Sequence, residues 1–126
     1  MVDWEPISEV ELLDVINSAC RRMNPAQHRL WEAIKIDPQK WSQHPWGDVG
    51  GGFWVAAIVG KECLFYNDIE DGWNWSVYEA YGEIRDYWCN QDELELAVQH
   101  IIDGIGAEGF SVPRRGPPMP VEWKDC

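Results

Sequence analysis

The residues best suited to chemistry are concentrated in one segment that runs from Asn67 to Ser76. This segment combines three carboxylates with two indoles around one glycine, namely Asp68, Glu70, Asp71, Gly72, Trp73 and Trp75. Carboxylates bind cations, indoles offer large rigid contact surfaces, and glycine permits a tight turn. Three uses follow for the segment: calcium binding, carbohydrate chemistry and recognition of a basic partner.

The calcium hypothesis depends on spacing, because an EF-hand loop needs oxygen ligands at positions 1, 3 and 5, glycine at 6 and glutamate at 12. If Gly72 takes position 6, Asn67 and Asp71 supply oxygens, but Ile69 falls at position 3 and Tyr78 at position 12. The spacing therefore predicts no EF-hand. A looser divalent-ion site stays an open alternative, and the sequence assigns no metal-ligating residue.

Carboxylates beside indoles also suit carbohydrates, since glycoside hydrolysis uses a pair of carboxyl groups at a defined separation. The sequence does not fix that separation, so it assigns no catalytic carboxylate. A non-catalytic alternative remains, namely a small-ligand or carbohydrate-binding domain. Its pocket would be lined by Trp46, Trp73 and Trp75.

The rest of the chain supplies no catalytic set. The histidines His28, His44 and His100 are widely separated, and the four cysteines contain no C-x-x-C pair. Ser76 lacks the G-x-S-x-G context of an activated serine. We therefore predict that the protein is not an enzyme, and we predict no cofactor.

The charge of the chain is strongly acidic and unevenly distributed. Its 126 residues carry 10 Lys+Arg against 22 Asp+Glu, a net charge of −12. Residues 41–110 hold 13 acidic residues against two basic ones, and they contain six of the nine tryptophans. Nucleic acids and anionic membranes are poor partners for such a chain, because both are bound through Lys and Arg.

An acidic, tryptophan-rich region favours recognition of a basic partner protein, because complementary charge speeds association and aromatic residues anchor interfaces. A nuclease or another nucleic-acid-binding protein is the concrete partner that we expect. The alternative without a specific binding function is a soluble domain whose acidity serves solubility only. The predicted partner contacts are Asp68, Glu70, Asp71, Trp73, Trp75, Glu79, Glu83 and Asp86.

In size, acidity and aromatic content the chain resembles the immunity proteins with which bacteria inhibit their own toxins. The resemblance lies in composition rather than in a motif, so it transfers no binding residue. It implies an inhibitor that acts by binding. A mimic of nucleic acid, which would occupy a DNA-binding protein, is a close variant of this hypothesis.

Two helices and a hairpin are predicted upstream of the acidic segment. Ser8 with Glu11, and Asn24 with Pro25, are typical of helix starts, and they predict helices over 9–23 and 25–35. The apolar run 53–59 predicts a buried strand. A two-residue turn at Gly60 leads from it to a partner strand over 62–66.

Downstream, we predict a loop over 67–80, a third strand over 82–89 and a helix whose apolar stripe runs from Leu94 to Ile105. The order α-α-β-β-β-α indicates an α+β fold, with a three-stranded antiparallel sheet packed against helices. One domain would span 1–106, followed by a proline-rich extended arm over 107–126.

The start of the chain has no basic region followed by an apolar one, so no signal peptide is predicted. No apolar run approaches the roughly 18 residues of a membrane helix. These two observations predict a cytoplasmic protein without a membrane partner.

Overall fold

The computed structural model describes residues 4–105, which form three helices and four strands. In chain order the elements are α1 (Glu9–Arg22), α2 (Pro25–Ile34), β1 (Lys35–Trp41), β2 (Phe53–Val59), β3 (Glu62–Asn67), β4 (Gly72–Val77) and α3 (Leu94–Ile105). The predicted α+β class is confirmed. The predicted arm, residues 107–126, lies outside the described residues.

Helices α1 and α2 begin at the capping residues that the sequence indicates. The Ser8 hydroxyl accepts a hydrogen bond from the Glu11 amide at 3.2 Å, and the Ser8 amide donates to the Glu11 carboxylate at 3.1 Å. Asn24 and Gln27 form the same reciprocal pair at the start of α2, where Pro25 is the first helical residue. These bonds satisfy amides that have no partner within the first helical turn.

The sheet has four antiparallel strands in the order β1-β2-β3-β4, so each strand pairs with the next along the chain. The prediction of three strands is therefore wrong. β1 follows α2 directly and contains Pro38, which is tolerated because β1 is an edge strand. β4 lies inside the segment 67–80, which the sequence predicts as a loop.

Residues 82–89, predicted as the third strand, form no strand. They belong to a segment over 78–92, here called the return segment, which runs back along the sheet after β4. Its main chain meets the sheet only at separate points. The Trp73 amide, for example, donates to the Asp92 carbonyl at 2.9 Å, and the Arg85 amide donates to the Val77 carbonyl at 3.3 Å.

Side chains of the sheet form hydrogen bonds to the return segment in place of the regular main-chain bonds between paired strands. The Asn67 amide group donates to the Trp88 carbonyl at 2.9 Å. The Asn74 side chain donates to the Asn90 carbonyl and accepts from the Asn90 amide, each at 3.0 Å. These polar side chains are buried, and the bonds that they form offset the cost of that burial.

Ser76 and Gly72 complete this attachment. The Ser76 hydroxyl accepts from the Asp86 amide at 3.0 Å. A Cβ on Gly72 would overlap the main chain of Asn90 and Gln91, so only glycine admits the return segment at this distance. The sequence of β4 therefore alternates indoles on one face with small or polar residues on the other, and it does not resemble an ordinary half-buried strand.

The sheet consequently has a different cover on each face. One face packs against the three helices around Leu12, Trp31, Leu64, Trp73 and Trp75. The other face packs against irregular chain around Trp41, Phe53, Phe65, Tyr87 and Trp88. None of the described helices combines the length and the apolar character that crossing a bilayer requires.

We predict that Asn74→Ala lowers the free energy of unfolding by about 1–3 kcal/mol, because it leaves the half-buried amide and carbonyl of Asn90 without the Asn74 side chain as partner. Asn17→Ala, a change at an exposed position of α1, serves as the control and changes this free energy by less than about 0.5 kcal/mol. Urea denaturation measures both. Equal stability of the two variants would contradict the proposed attachment of the return segment.

Candidate functional site

A cleft of about 380 Å³ opens where α1, the β3–β4 turn and the start of α3 meet. Its walls contain four carboxylates, one guanidinium, one phenol and one indole. We call it the acidic cleft, and its lining residues are Asp14, Val15, Ser18, Arg22, Tyr66, Asp71, Trp73, Asp92 and Glu93.

Helix α1 supplies one wall through a polar stripe. Asp14, Ser18 and Arg22 are spaced by four residues, so they lie on the same side of the helix. The opposite side buries Leu12, Ile16 and Ala19 in the core that the helices share with the sheet. The amphipathic pattern of α1 thus presents this polar stripe to the cleft.

The other walls depend on β3, β4 and the return segment. Tyr66 lies near the end of β3 and Trp73 near the start of β4, and the two rings pack edge to face at 5.0 Å. The isolated bridge between Trp73 and Asp92 brings the end of the return segment alongside β4. Asp71, in the β3–β4 turn, adopts a left-handed φ of 57°, which Asp tolerates better than most residues.

The only guanidinium of the cleft is already paired. Arg22 donates to Glu93 at 2.8 Å and to Glu95 at 2.6 Å, and thereby links the end of α1 to the start of α3. Within residues 4–105, no basic side chain forms an ion pair with Asp14 or Asp71. Negative charge therefore predominates in the cleft.

Burial and the nearby negative charge both raise the pKa of the Tyr66 hydroxyl. Burial raises the pKa of Tyr66 to about 12, and the carboxylates of Asp71 and Asp68 contribute to that shift. The hydroxyl lies 3.5 Å from the Asp71 carboxylate and stays protonated at physiological pH. The cleft thus offers carboxylate acceptors and a neutral phenol, a combination that suits a cation with hydrogen-bond donors.

The predicted contacts fall into two groups that β4 keeps apart. Asp68, Glu70 and Asp71 lie in the β3–β4 turn beside the acidic cleft, and Asp71 lines it. Glu79, Glu83 and Asp86 follow the opposite end of β4. Asp86 accepts hydrogen bonds from Arg85 at 3.1 and 3.3 Å, and Glu79 lies 3.6 Å from the same guanidinium.

The predicted aromatic contacts belong to the core. Trp73 is 1% exposed and Trp75 is 4% exposed, and the Trp75 indole N–H donates to the Ala97 carbonyl at 2.9 Å. Trp73 lines the acidic cleft, and its buried indole N–H has no partner among the described residues. A ligand in the cleft would therefore meet the Trp73 side chain rather than the Trp75 side chain.

The three indoles of the alternative pocket do not come together. Trp46 packs on the face covered by irregular chain, where it stacks on Tyr87 at 4.6 Å. Trp73 and Trp75 lie on the face covered by the helices. The sheet therefore separates Trp46 from the other two indoles.

Sequence reasoning missed seven residues of the cleft, including the apolar Val15, and for three of the six polar ones a signal was present. The spacing of Asp14, Ser18 and Arg22 marks a polar face on a helix that the sequence predicts. Tyr66, Asp92 and Glu93 gave no such signal, because contacts across the fold bring them to the cleft.

Comparison with protein-family models, with curated proteins and with solved structures finds no match to this chain. Within the described residues, no group of three or more His, Cys, Asp or Glu side chains is arranged to hold a metal ion.

Asp68, in the β3–β4 turn beside the cleft, is bonded to the chain that precedes α1. Its carboxylate accepts the Ile7 amide at 2.8 Å, and its carbonyl accepts the Trp4 indole N–H at 2.8 Å. Asp68 is buried, and this burial raises the pKa of its carboxyl above the ordinary value of 3.8. Asp68 thus holds the chain that precedes α1 against the β3–β4 turn.

This raised pKa predicts a pH-dependent stability. A group with a raised folded-state pKa stabilises the fold below its unfolded pKa, and that contribution is lost as the pH rises through the folded pKa. The stability of the wild type relative to Asp68→Asn should therefore fall between about pH 3 and pH 7. Urea denaturation across this range measures the difference.

Glu95→Gln is the control with the opposite sign. Partial burial acts to raise the pKa of Glu95, but hydrogen bonds from Arg22 lower it overall, below the ordinary value of 4.5. The stability of the wild type relative to Glu95→Gln should therefore rise over the same pH range. Parallel pH profiles for the wild type and Asp68→Asn would show that Asp68 does not act as described.

Proposed function

We propose that this protein is a non-enzymatic binding protein that engages a basic partner protein, and that its acidic cleft receives a cationic side chain of that partner. The observation that carries the proposal is the charge of the cleft. Asp14 and Asp71 have no basic partner within residues 4–105, while Arg22 is already paired with Glu93 and Glu95.

The cleft suits a lysine or arginine side chain in size and chemistry. A space of about 380 Å³ is large enough to admit one such side chain. The carboxylates of Asp14 and Asp71 and the Tyr66 hydroxyl can accept the donors of an ammonium or guanidinium group. Charge-assisted hydrogen bonds of this kind are about twice as strong as neutral ones.

The surrounding acidity would assist the encounter as well as the final contact. A surface dominated by one sign of charge attracts an oppositely charged partner and raises the association rate. Lys61 and Arg85 are the only basic residues in the range 41–110, so little positive charge opposes this attraction. An inhibitor or immunity protein directed at a basic nuclease is the form of this function that we favour.

The carbohydrate-binding alternative has weaker support. It requires Trp46, Trp73 and Trp75 in one pocket, and the sheet separates the first from the other two. The acidic cleft itself offers little exposed ring surface, since Trp73 is 1% exposed.

We predict that the double variant Asp14→Asn/Asp71→Asn binds an arginine-rich peptide at least about tenfold more weakly than the wild type, because each change removes a charged acceptor from the cleft. Asparagine is chosen at position 71 because it also tolerates the left-handed φ there. Isothermal titration calorimetry at low and high salt measures affinity and its salt dependence.

The control is Glu9→Gln/Asp37→Asn, which removes the same number of charges from exposed positions outside the cleft. We expect this control to retain most of the wild-type affinity. Equal weakening by both double variants would mean that net charge alone attracts the peptide, and it would contradict a specific role for the cleft.

A further inference from the structure

A second cleft, of about 290 Å³, lies beyond the end of β4, far from the β3–β4 turn. It forms between the chain that follows β1 and the return segment. We call it the Gln43 cleft, and its lining residues are Ser42, Gln43, His44, Glu79, Ala80, Glu83, Ile84 and Arg85.

The two walls of this cleft are fixed to each other by main-chain hydrogen bonds. The Ser42 amide donates to the Gly82 carbonyl at 2.9 Å, and the Ile84 amide donates to the Ser42 carbonyl at 2.8 Å. Gln43 and Glu83 are the neighbours of these bonded residues. Their side chains therefore project from walls whose separation the main chain determines.

Gln43 is the unusual residue of the cleft. It is 3% exposed, and its Oε1 atom is buried without a hydrogen-bond partner among the described residues. Buried polar atoms are nearly always hydrogen-bonded, so an unpaired acceptor in the wall of a cleft indicates a missing donor. This observation is independent of the carboxylates in the same cleft.

The carboxylates indicate the charge of that donor. Arg85 donates to Asp86 and lies 3.6 Å from Glu79, so its guanidinium already has partners. Glu83 forms no ion pair within residues 4–105. The cleft thus presents an amide oxygen on one wall and the Glu83 carboxylate on the other, and neither is paired with a basic side chain of residues 4–105.

We propose that the Gln43 cleft binds a guanidinium group, with Gln43 Oε1 and the Glu83 carboxylate as its acceptors. A guanidinium presents five N–H donors in a rigid planar fork, so it can serve acceptors on two walls at once. An ammonium group is a compact point charge and matches such divided acceptors less well. This site is separate from the acidic cleft and does not depend on the proposed function.

The test uses three capped amino acids as probes: N-acetyl-arginine-N-methylamide and the matching lysine and citrulline compounds. Citrulline has nearly the shape of arginine without its charge. In side-chain amide NMR spectra, the arginine probe should shift the Gln43 signal saturably and bind at least about tenfold more tightly than either comparison probe.

Two variants of the protein test the acceptors. Gln43→Met removes the amide but keeps an unbranched side chain of similar length, and Glu83→Gln removes only the charge. Followed at the main-chain amide signals of Ser42 and Ile84, which both variants retain, binding of the arginine probe should weaken in each, by about tenfold or more for Gln43→Met. Asp14→Asn/Asp71→Asn should leave this binding unchanged, which separates the present site from the acidic cleft.

An arginine-rich peptide distinguishes the source of the guanidinium. The comparison is made at the Gln43 signal in the Asp14→Asn/Asp71→Asn variant, so that binding at the acidic cleft does not contribute. Tighter binding of the peptide than of the capped arginine would support a protein ligand, and equal binding would support a small molecule; both results retain the site. Equal shifts from the arginine and lysine probes, or binding that survives both Gln43→Met and Glu83→Gln, would overturn the proposal.

Discussion

The hydrogen bonds between the Asn74 side chain and the main chain of Asn90 hold the return segment against the sheet, and much of the structure depends on them. An irregular segment over a sheet face brings main-chain amides and carbonyls into a buried environment, where each needs a partner. Asn67, Asn74 and Ser76 supply these partners at Trp88, Asn90 and Asp86. The sheet can therefore be covered by helices on one face and by irregular chain on the other.

This attachment also determines where the negative charge lies. The return segment ends at Asp92, beside Trp73, and α3 begins immediately afterwards. The end of the segment thus brings Asp92, and Glu93 directly after it, to the cleft, where α1 supplies Asp14 and Arg22. Acidic residues that are distant in sequence meet in this cleft because the return segment, which packs on the sheet face that the helices do not cover, ends there.

Local signals were sufficient for part of the fold. The capping residues of α1 and α2 and the apolar run of β2 act within a few residues, so the two helices and the β2–β3 hairpin could be predicted. β4 could not, because the burial of Asn74 and Ser76 depends on a segment that follows ten or more residues later. Without those partners, a run of glycine, asparagine and serine between tryptophans resembles a loop.

The same reason limits the prediction of the candidate site. Asp71 and Trp73 were identified from their density in the sequence, and both line the acidic cleft. Composition alone could not show that Trp75 donates to the Ala97 carbonyl inside the core, or that Glu79 and Glu83 line a separate cleft. Those facts follow from the four-stranded meander, which separates the two ends of β4.

The indole N–H signals of the protein show most directly whether a basic ligand occupies the acidic cleft. The Trp73 N–H has no partner among the described residues, whereas the Trp75 N–H is bonded at 2.9 Å inside the core. Titration with an arginine-rich peptide should shift the Trp73 and Tyr66 signals saturably and leave the Trp75 signal in place. A bound peptide that leaves Trp73 and Tyr66 unshifted while other indoles respond would contradict the account.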